Sequence, residues 1–264
     1  MSGDFRARYG PTALVAGASE GIGAAFATEL ARRGLDLILV ARRTAPLEEF
    51  AANLRTDHKV NVETGALDLA APDLAARAVA LIEGREVGLC IYNAAHSRVL
   101  PFLEGDLDDH LRTIDVNCRG PVTLAFLLGK KMAERGRGAI VLMSSLAGSQ
   151  GTPLLAVYGA SKAFNLVLGE ALWDELSRRG VDVLACRAGA TRTPNFERSQ
   201  PTGKTPTMDP EPVVAAALAA LGKQPSVVPG AFNRTVAFFL GRMLSRRRAV
   251  KVIGDTTRKL YGAS

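Results

Sequence analysis

The sequence lacks the segments that would insert the chain into a membrane or export it. No apolar run reaches the roughly 18 residues of a membrane-spanning helix, and the N-terminus from Met1 to Tyr9 has no signal-peptide core. Cysteine is scarce: Cys90, Cys118 and Cys186 are odd in number and lack the spacing of a metal site. We therefore expect a cytoplasmic protein with reduced, buried thiols.

Histidine is equally rare, and His58, His96 and His110 form no ligand cluster with cysteines or acids. No metal site is therefore predicted. His96 is predicted to lie in a surface loop, although its place in the chain could also bring it to the mouth of an active site.

Acidic residues are nearly missing from the C-terminal segment 223–264, which has nine basic residues against the single acid Asp255. The segment contributes +8 to a net charge of +7, so the first 222 residues are close to neutral. A basic charge confined to one segment does not indicate that the whole domain binds nucleic acid. No nucleic-acid partner is expected.

The same segment is amphipathic, because an apolar helical stripe precedes arginines 246–248 and Lys251. The stripe consists of Phe232, Val236, Phe239, Leu240 and Met243. A basic amphipathic helix over 231–253 could lie on an anionic membrane surface. It could equally pack its apolar stripe against the domain and leave the arginines in water, and the sequence leaves both possibilities open.

Apolar residues are abundant, at 47% of 264 positions, and occur in short runs that alternate with helical patterns. The predicted strands are 12–17, 35–41, 60–67, 87–92, 139–143 and 181–186. The predicted helices are 24–33, 45–57, 72–82, 106–133 with an interruption near 120–121, and 158–179. This alternation predicts an α/β fold with one Rossmann-type, doubly wound parallel β-sheet and helices on both faces. Residues 1–264 are predicted to form one domain, with a flexible loop over 194–212.

A glycine-rich loop lies between the first strand and the first helix, with glycines at 17, 21 and 23. Such a loop turns tightly, lets the backbone approach a pyrophosphate and points helix N-terminal amides at the anion. The loop therefore predicts a dinucleotide cofactor. The second strand ends in Arg42 and Arg43, where an NAD site would need a carboxylate, so NADP(H) is favoured over NAD(H). Arg43 could alternatively be a solvated helix-start residue, and Glu20 argues mildly for NAD(H).

Tyr158 and Lys162 are four residues apart on a predicted helix, so their side chains project from one face. A tyrosine has a pKa of about 10, and lowering it by about 3 requires about 4 kcal/mol. A lysine ammonium at about 4 Å supplies an energy of that order at an effective dielectric of about 20. The pair is therefore predicted to be a tuned proton donor or acceptor, with Lys162 lowering the pKa of Tyr158.

Together these motifs closely resemble the short-chain dehydrogenase/reductase family over about residues 12–195. The resemblance is carried by the Gly17 loop, Asn93-Ala94-Ala95, Asn117, Ser145, Tyr158-x-x-x-Lys162, Gly189 and Thr193. It implies that Tyr158 is the general acid or base, that Lys162 also binds the nicotinamide ribose, and that Ser145 binds the substrate carbonyl. Asn117 would hold a water of a proton relay.

The resemblance also completes the predicted cofactor site. Its residues are Gly17, Ser19, Glu20, Gly21, Ile22, Gly23, Arg42, Arg43, Asp68, Asn93, Ala94, Ala95, Tyr158, Lys162, Gly189, Thr191 and Thr193. Two positions depart from the family pattern: Ala95 replaces a glycine, which requires a negative φ there, and Ala188 replaces a proline. Neither position has a catalytic role, so these departures are expected to affect the loop geometry and the substrate fit more than the activity.

The function predicted is an NADP(H)-dependent oxidoreductase that interconverts a carbonyl and a secondary alcohol. By a looser family resemblance the substrate is hydrophobic, such as a ketoacyl or steroid-like ketone. Residues 194–222 would form the substrate loop and helix, 223–264 a basic extension, and the protein a homodimer or homotetramer, with Trp173 as a possible interface residue. The alternatives are a non-enzymatic dinucleotide-binding redox sensor and a peripheral membrane protein of lipid metabolism.

Overall fold

The computed structural model describes residues 2–262 and contains one parallel sheet of seven strands, in the order β3-β2-β1-β4-β5-β6-β7. The strands are β1 Thr12–Ala16, β2 Asp36–Ala41, β3 Val62–Ala66, β4 Val87–Tyr92, β5 Gly138–Ser145, β6 Val181–Ala188 and β7 Ser226–Val227. The strand order reverses between β1 and β4, which is the topological switch point where ligands bind in doubly wound sheets. The predicted fold class is confirmed.

Eleven α-helices precede, connect or follow these strands within the described residues. They are α1 Ser2–Tyr9, α2 Gly21–Arg32, α3 Thr44–His58, α4 Leu74–Ile82, α5 Leu107–Ile114, α6 Gly120–Arg135, α7 Ala156–Ser177, α8 Pro194–Arg198, α9 Pro210–Ala220, α10 Ala231–Phe238 and α11 Arg246–Tyr261. Two π-helical turns, Asp115–Arg119 and Phe239–Met243, precede α6 and follow α10.

The sheet is covered on both faces, which is why its central strands are apolar throughout. Helices α2, α3 and α9 pack on one face, against residues such as Val15 and Leu39. Helices α4, α6 and α7 pack on the other, against residues such as Leu14 and Ile140. Alternating residues of one strand therefore belong to different cores, as expected for a buried parallel sheet.

The element boundaries agree with the sequence prediction in most places and differ in a few. Helix α1 and strand β7 were not predicted, since neither has a distinctive apolar period. The interruption of the long helix is the π-turn Asp115–Arg119, just before the predicted position. The flexible loop predicted over 194–212 was wrong in part, because it contains α8 and the start of α9.

The C-terminal segment forms two helices, α10 and α11, which are separated by the second π-turn. The prediction of one amphipathic helix with a single apolar stripe was therefore wrong. Val236 and Leu240 line the large cavity described below, whereas Phe239 and Met243 are exposed. A π-turn adds a residue to the helical repeat, so the stripe is divided between two faces. Of the predicted ranges 1–264 and 223–264, residues 1, 263 and 264 lie outside the described residues.

The three cysteines are free; Cys90 and Cys186 are buried, and Cys118 is half-buried. Over residues 2–262, no helix is long and apolar enough to cross a bilayer. In the same part of the chain, no group of three or more histidine, cysteine or acidic side chains is placed to hold a metal.

Candidate active site

The glycine loop follows β1 directly and is shaped by contacts that leave no room for side chains. A Cβ at Gly17 would lie 2.7 Å from the backbone of Ala94, and the residue has φ +82. A Cβ at Gly23 would lie 1.9 Å from the carbonyl oxygen of Gly17. The turn into α2 is therefore closed as tightly as a pyrophosphate cradle requires, so the residues present fit a dinucleotide.

The Asn93 motif holds this loop from the neighbouring strand β4. The Asn93 amide donates to the Gly17 carbonyl oxygen at 2.9 Å, and the Asn93 and Ala94 backbone amides donate to Ala16 at 3.0 and 2.8 Å. Ala95 is not among the described residues with positive φ, so alanine is compatible with this turn.

The two arginines after β2 differ in position. Arg42 lines the cavity, whereas Arg43 does not and instead lies 3.7 Å from the carboxylate of Glu20. Glu20 is also paired with Arg198 of α8, and the hydrogen bond from Arg198 is the main reason that its pKa is lowered. Glu20 therefore connects the glycine loop to the segment after β6.

Asp68 also lines the cavity but is already engaged. Its carboxylate accepts from Arg112 at 3.0 and 3.1 Å and from the backbone amide of Ala70 at 3.0 Å. Burial acts to raise its pKa, but these bonds and the nearby Arg42 leave the pKa lowered. The Asp68 carboxylate is thus held in place by these hydrogen bonds, in the part of the cavity where Arg42 also lies.

Strand β5 and helix α7 bring the predicted catalytic residues together. Lys162 is buried and its ammonium donates to the Met143 carbonyl oxygen at 2.8 Å, while the Ser144 hydroxyl donates to the Lys162 carbonyl oxygen at 2.7 Å. These reciprocal bonds join the end of the strand to the first turns of the helix. Ser145 and Tyr158 consequently line the same cavity.

The protonation of this pair differs from the sequence prediction. Burial raises the pKa of Tyr158, and the hydrogen bond with Ser145 only partly opposes this. Burial lowers the pKa of Lys162 to about 8. The expected lowering of the Tyr158 pKa by lysine was wrong for this structure: the ammonium is directed at Met143 and lies 5.6 Å from the centre of the tyrosine ring. Tyr158 is therefore held as a neutral phenol.

Asn117 lies in the π-turn before α6 and is fully buried. Its amide donates to the His96 carbonyl oxygen and to the Ser161 hydroxyl, both at 2.9 Å, and its oxygen accepts from the His96 amide at 2.8 Å. The side chain thus connects the loop after β4 to α7, one residue before Lys162. Single π-turns of this kind are frequent at functional sites.

Most of the predicted site residues line one cavity of about 520 Å³. They are Gly17, Ser19, Glu20, Gly21, Ile22, Arg42, Asp68, Asn93, Ala94, Ala95, Ser145, Tyr158, Lys162, Gly189, Thr191 and Thr193. Gly23, Arg43 and Asn117 lie outside this lining: Gly23 is beneath the loop, Arg43 beside Glu20, and Asn117 behind Lys162.

The segment after β6 is ordered by local bonds. Thr193 caps α8 by accepting from the Phe196 amide at 3.2 Å, and Thr191 donates to the Gly189 carbonyl oxygen at 3.1 Å. β6 extends through Ala188, which pairs with Ser145. Alanine in place of the family proline therefore keeps a backbone donor available to the strand.

Sequence reasoning missed part of the cavity wall. His96 lies half-buried in the loop after β4 and lines the cavity, so both the loop position and the alternative place at the active-site mouth describe it; its ring pairs with Asp109 at 2.8 Å. Leu155 and Phe196 also line the cavity, as do Ile253, Leu260 and Tyr261 of α11. The apolar helical stripe that includes Val236 could have indicated that this helix lines the cavity. No local sequence pattern indicates that Tyr261 does.

Comparisons with known proteins agree with this geometry. A family model described as short chain dehydrogenase matches residues 11–203. The 7beta-hydroxysteroid dehydrogenase of Clostridium sardiniense is 32% identical over 88% of this chain and 90% of its own length.

Two solved structures are also similar. A structure from work on the stereoselectivity of 7beta-hydroxysteroid dehydrogenase has a TM-score of 0.89 at 28% identity, covering 94% of this chain and 98% of its own. A short-chain dehydrogenase from Sphingobium yanoikuyae in complex with NADPH has a TM-score of 0.77 at 35% identity, covering 83% and 87%. The chain therefore belongs to the short-chain dehydrogenase family and is an oxidoreductase acting on hydroxyl and carbonyl groups.

Proposed function

We propose that the protein is an NADP(H)-dependent oxidoreductase that interconverts a ketone and a secondary alcohol on a lipophilic, steroid-like substrate. The observation that carries this proposal is the convergence of Ser145, Tyr158 and Lys162 on the cavity that the glycine loop also lines. Apolar side chains also line this cavity, with Leu155 and Leu240 among them. The similarity to a 7beta-hydroxysteroid dehydrogenase supports a polycyclic ketone.

The side chains supply binding and proton transfer. Ser145 donates a hydrogen bond to the substrate carbonyl oxygen, and Tyr158, kept as a phenol by burial, donates its proton to the same oxygen during reduction. The nicotinamide supplies the hydride when NADPH is bound. Lys162, with a pKa of about 8, is protonated at neutral pH and can return a proton to Tyr158. Asn117 joins the loop after β4 to α7 next to Lys162, and so positions the segment through which Lys162 would be reprotonated.

The cofactor preference rests on Arg42 and on the related enzyme that was solved in complex with NADPH. Arg42 lies at the end of β2, beside the cavity, where a 2′-phosphate would form charge-assisted hydrogen bonds. Arg43 already faces Glu20 and contributes less. The glycine loop would hold the pyrophosphate, and Lys162 the nicotinamide ribose.

A dinucleotide-binding redox sensor is disfavoured because a sensor has no need for a cavity with apolar walls next to Tyr158 and the buried Lys162. The arrangement is that of a site which admits a second, non-nucleotide molecule.

Replacing Tyr158 tests the proposed reaction. Tyr158→Phe removes only the hydroxyl that donates the proton, so ketone reduction, followed by NADPH absorbance, should fall by at least about 100-fold. NADPH binding, measured by fluorescence titration, should be unchanged. Turnover at the wild-type rate would contradict the assignment of the proton donor.

Single replacements of the two arginines test the cofactor assignment. Arg42→Ala should raise the Kd of NADPH about 10- to 100-fold, since a hydrogen bond to a charged group contributes about 1.5–3 kcal/mol. The Kd of NADH should hardly change. Arg43→Ala is the matched control and should have the smaller effect. Equal weakening of both cofactors by Arg42→Ala would exclude the 2′-phosphate contact.

The subunit arrangement is proposed to be a homodimer or homotetramer built through α5, α6 and α7. These helices expose large apolar side chains, with Leu107 67%, Phe126 69% and Val167 65% accessible. Sedimentation velocity should give at least twice the chain mass of 27.9 kDa, and Phe126→Asp should shift the protein towards the monomer. A wild-type protein that sediments as a monomer would refute this arrangement. Trp173 packs against the domain core, so it is not assigned to the interface.

A second proposed role is reversible contact of a cytoplasmic enzyme with anionic membranes through residues 231–253. Phe238, Phe239 and Met243 are 57%, 53% and 63% exposed, and the exposed arginines 246–248 follow directly. Apolar side chains next to solvated cations suit the interface of a bilayer that contains acidic lipids.

Vesicle co-sedimentation tests this contact. Binding to phosphatidylserine-containing vesicles should fall about 100-fold when arginines 246–248 are changed to glutamine, at about 1 kcal/mol for each charge. Phe238→Ser with Phe239→Ser should weaken binding further, and Val79→Ser on α4 is the control. Binding that is equal on neutral phosphatidylcholine vesicles, or that all variants retain, would refute the contact.

A further inference from the structure

The C-terminal arm, residues 231–261, contributes part of the cavity wall. Val236 and Leu240 come from its first helix and turn, and Ile253 and Leu260 from α11. All four are apolar. The family model ends at residue 203, so this wall lies outside the part of the chain that the model matches.

The end of the arm is fixed against the segment after α8. The backbone amides of Thr202 and Gly203 donate to the Leu260 carbonyl oxygen at 2.8 and 2.9 Å. A Cβ at Gly203 would lie 2.7 Å from the carbonyl oxygen of Lys259, so glycine permits this approach. The last turn of α11 is therefore held in place next to the cavity.

Tyr261 is carried by this last turn and lines the same cavity as Tyr158. Its hydroxyl lies 3.3 Å from the Ser199 hydroxyl. Ser199 already donates its single proton to the Phe196 carbonyl oxygen at 2.6 Å, so Tyr261 is the donor in the contact between them. The lone pairs of the Tyr261 oxygen consequently remain available as acceptors.

The polar character of Tyr261 is unusual for this wall. The other hydroxyl that α11 contributes to the cavity lining, on Thr257, donates to the Ile253 carbonyl oxygen at 2.8 Å within its own helix. The charge that would form on Tyr261 is also one reason the pKa of Tyr158 is raised, which places the two phenols within electrostatic reach. Tyr261 thus offers a hydrogen-bond acceptor among the apolar residues of the arm, in the cavity that Tyr158 also lines.

We propose that Tyr261 is a specificity residue that contacts the substrate. Its phenol oxygen accepts a hydrogen bond from a hydroxyl that a lipophilic ketone carries away from the reacting carbonyl. This inference rests on the proposed ketone reduction and names a feature of its substrate. A site that hydrogen-bonds a substrate hydroxyl discriminates against the analogue that lacks it, because the buried partner is then left without a bond.

The test uses two 7-oxosteroids that differ only in one hydroxyl, which lies on a terminal ring away from the ketone. Tyr261→Phe should raise KM for the hydroxylated ketone about tenfold, the effect of one neutral hydrogen bond, and leave kcat unchanged. KM for the deoxy ketone should not change. Tyr261→Leu, which also removes the ring, should weaken both ketones and so separates packing from hydrogen bonding.

Equilibrium dialysis of both steroids with the NADPH-loaded protein gives a readout that does not need turnover. An equal effect of Tyr261→Phe on the two ketones, in either measurement, would overturn the proposal. If the wild type binds neither steroid but reduces cyclohexanone, the substrate inference fails and the proposed reaction stands. If it binds the hydroxylated steroid more tightly, loses that preference in Tyr261→Phe and reduces no ketone, the proposed reaction fails while the contact of Tyr261 stands.

Discussion

The structure depends on the pair of hydrogen bonds that joins the end of β5 to α7. The Lys162 ammonium donates to the Met143 carbonyl oxygen, and the Ser144 hydroxyl donates to the Lys162 carbonyl oxygen. A Cβ at Gly148 would lie 2.5 Å from the backbone of Ala163, so the connection passes against the helix with no space between them. This junction determines where Ser145 and Tyr158 lie, because Ser145 belongs to the end of the strand and Tyr158 to the first turn of the helix.

Keeping Lys162 at this junction has an energetic cost. A pKa lowered from 10.5 to about 8 corresponds to about 3 kcal/mol of preference against the charged ammonium. The hydrogen bond to Met143 offsets part of this desolvation, since buried charges need partners. The result is a lysine close to its titration point beside a tyrosine that stays protonated, which suits proton delivery in a ketone reduction.

Much of the site could be predicted because its motifs are local. Glycines 17, 21 and 23 follow one strand, and Tyr158 and Lys162 share one helix face, so chain spacing alone places each group. The carboxyl ends of parallel strands then bring the groups to one edge of the sheet. Solvation was less predictable: the spacing gave no indication that the ammonium of Lys162 would be directed to Met143 rather than to the phenol.

The part of the cavity wall that the C-terminal arm forms could not be predicted for a different reason. Tyr261 reaches the cavity only because α11 returns across the segment after α8, and this path depends on tertiary bonds such as those to Leu260. The division of the apolar stripe between Val236 and Phe239 depends on a π-turn, which has no strong sequence signal. The motifs of the family were therefore visible in the sequence, whereas the path of the C-terminal arm along the cavity was not.

In the proposed reaction this cavity would hold NADPH and a lipophilic ketone together, NADPH would supply the hydride, and Tyr158 would supply the proton. Mass spectrometry of the alcohol formed from a 7-oxosteroid and NADPH deuterated on the transferring face at nicotinamide C4 tests it most directly. We expect an alcohol one mass unit heavier than that formed with unlabelled NADPH, with the deuterium on the carbinol carbon. An alcohol without the label, or no alcohol from any lipophilic ketone supplied, would contradict the proposed reaction.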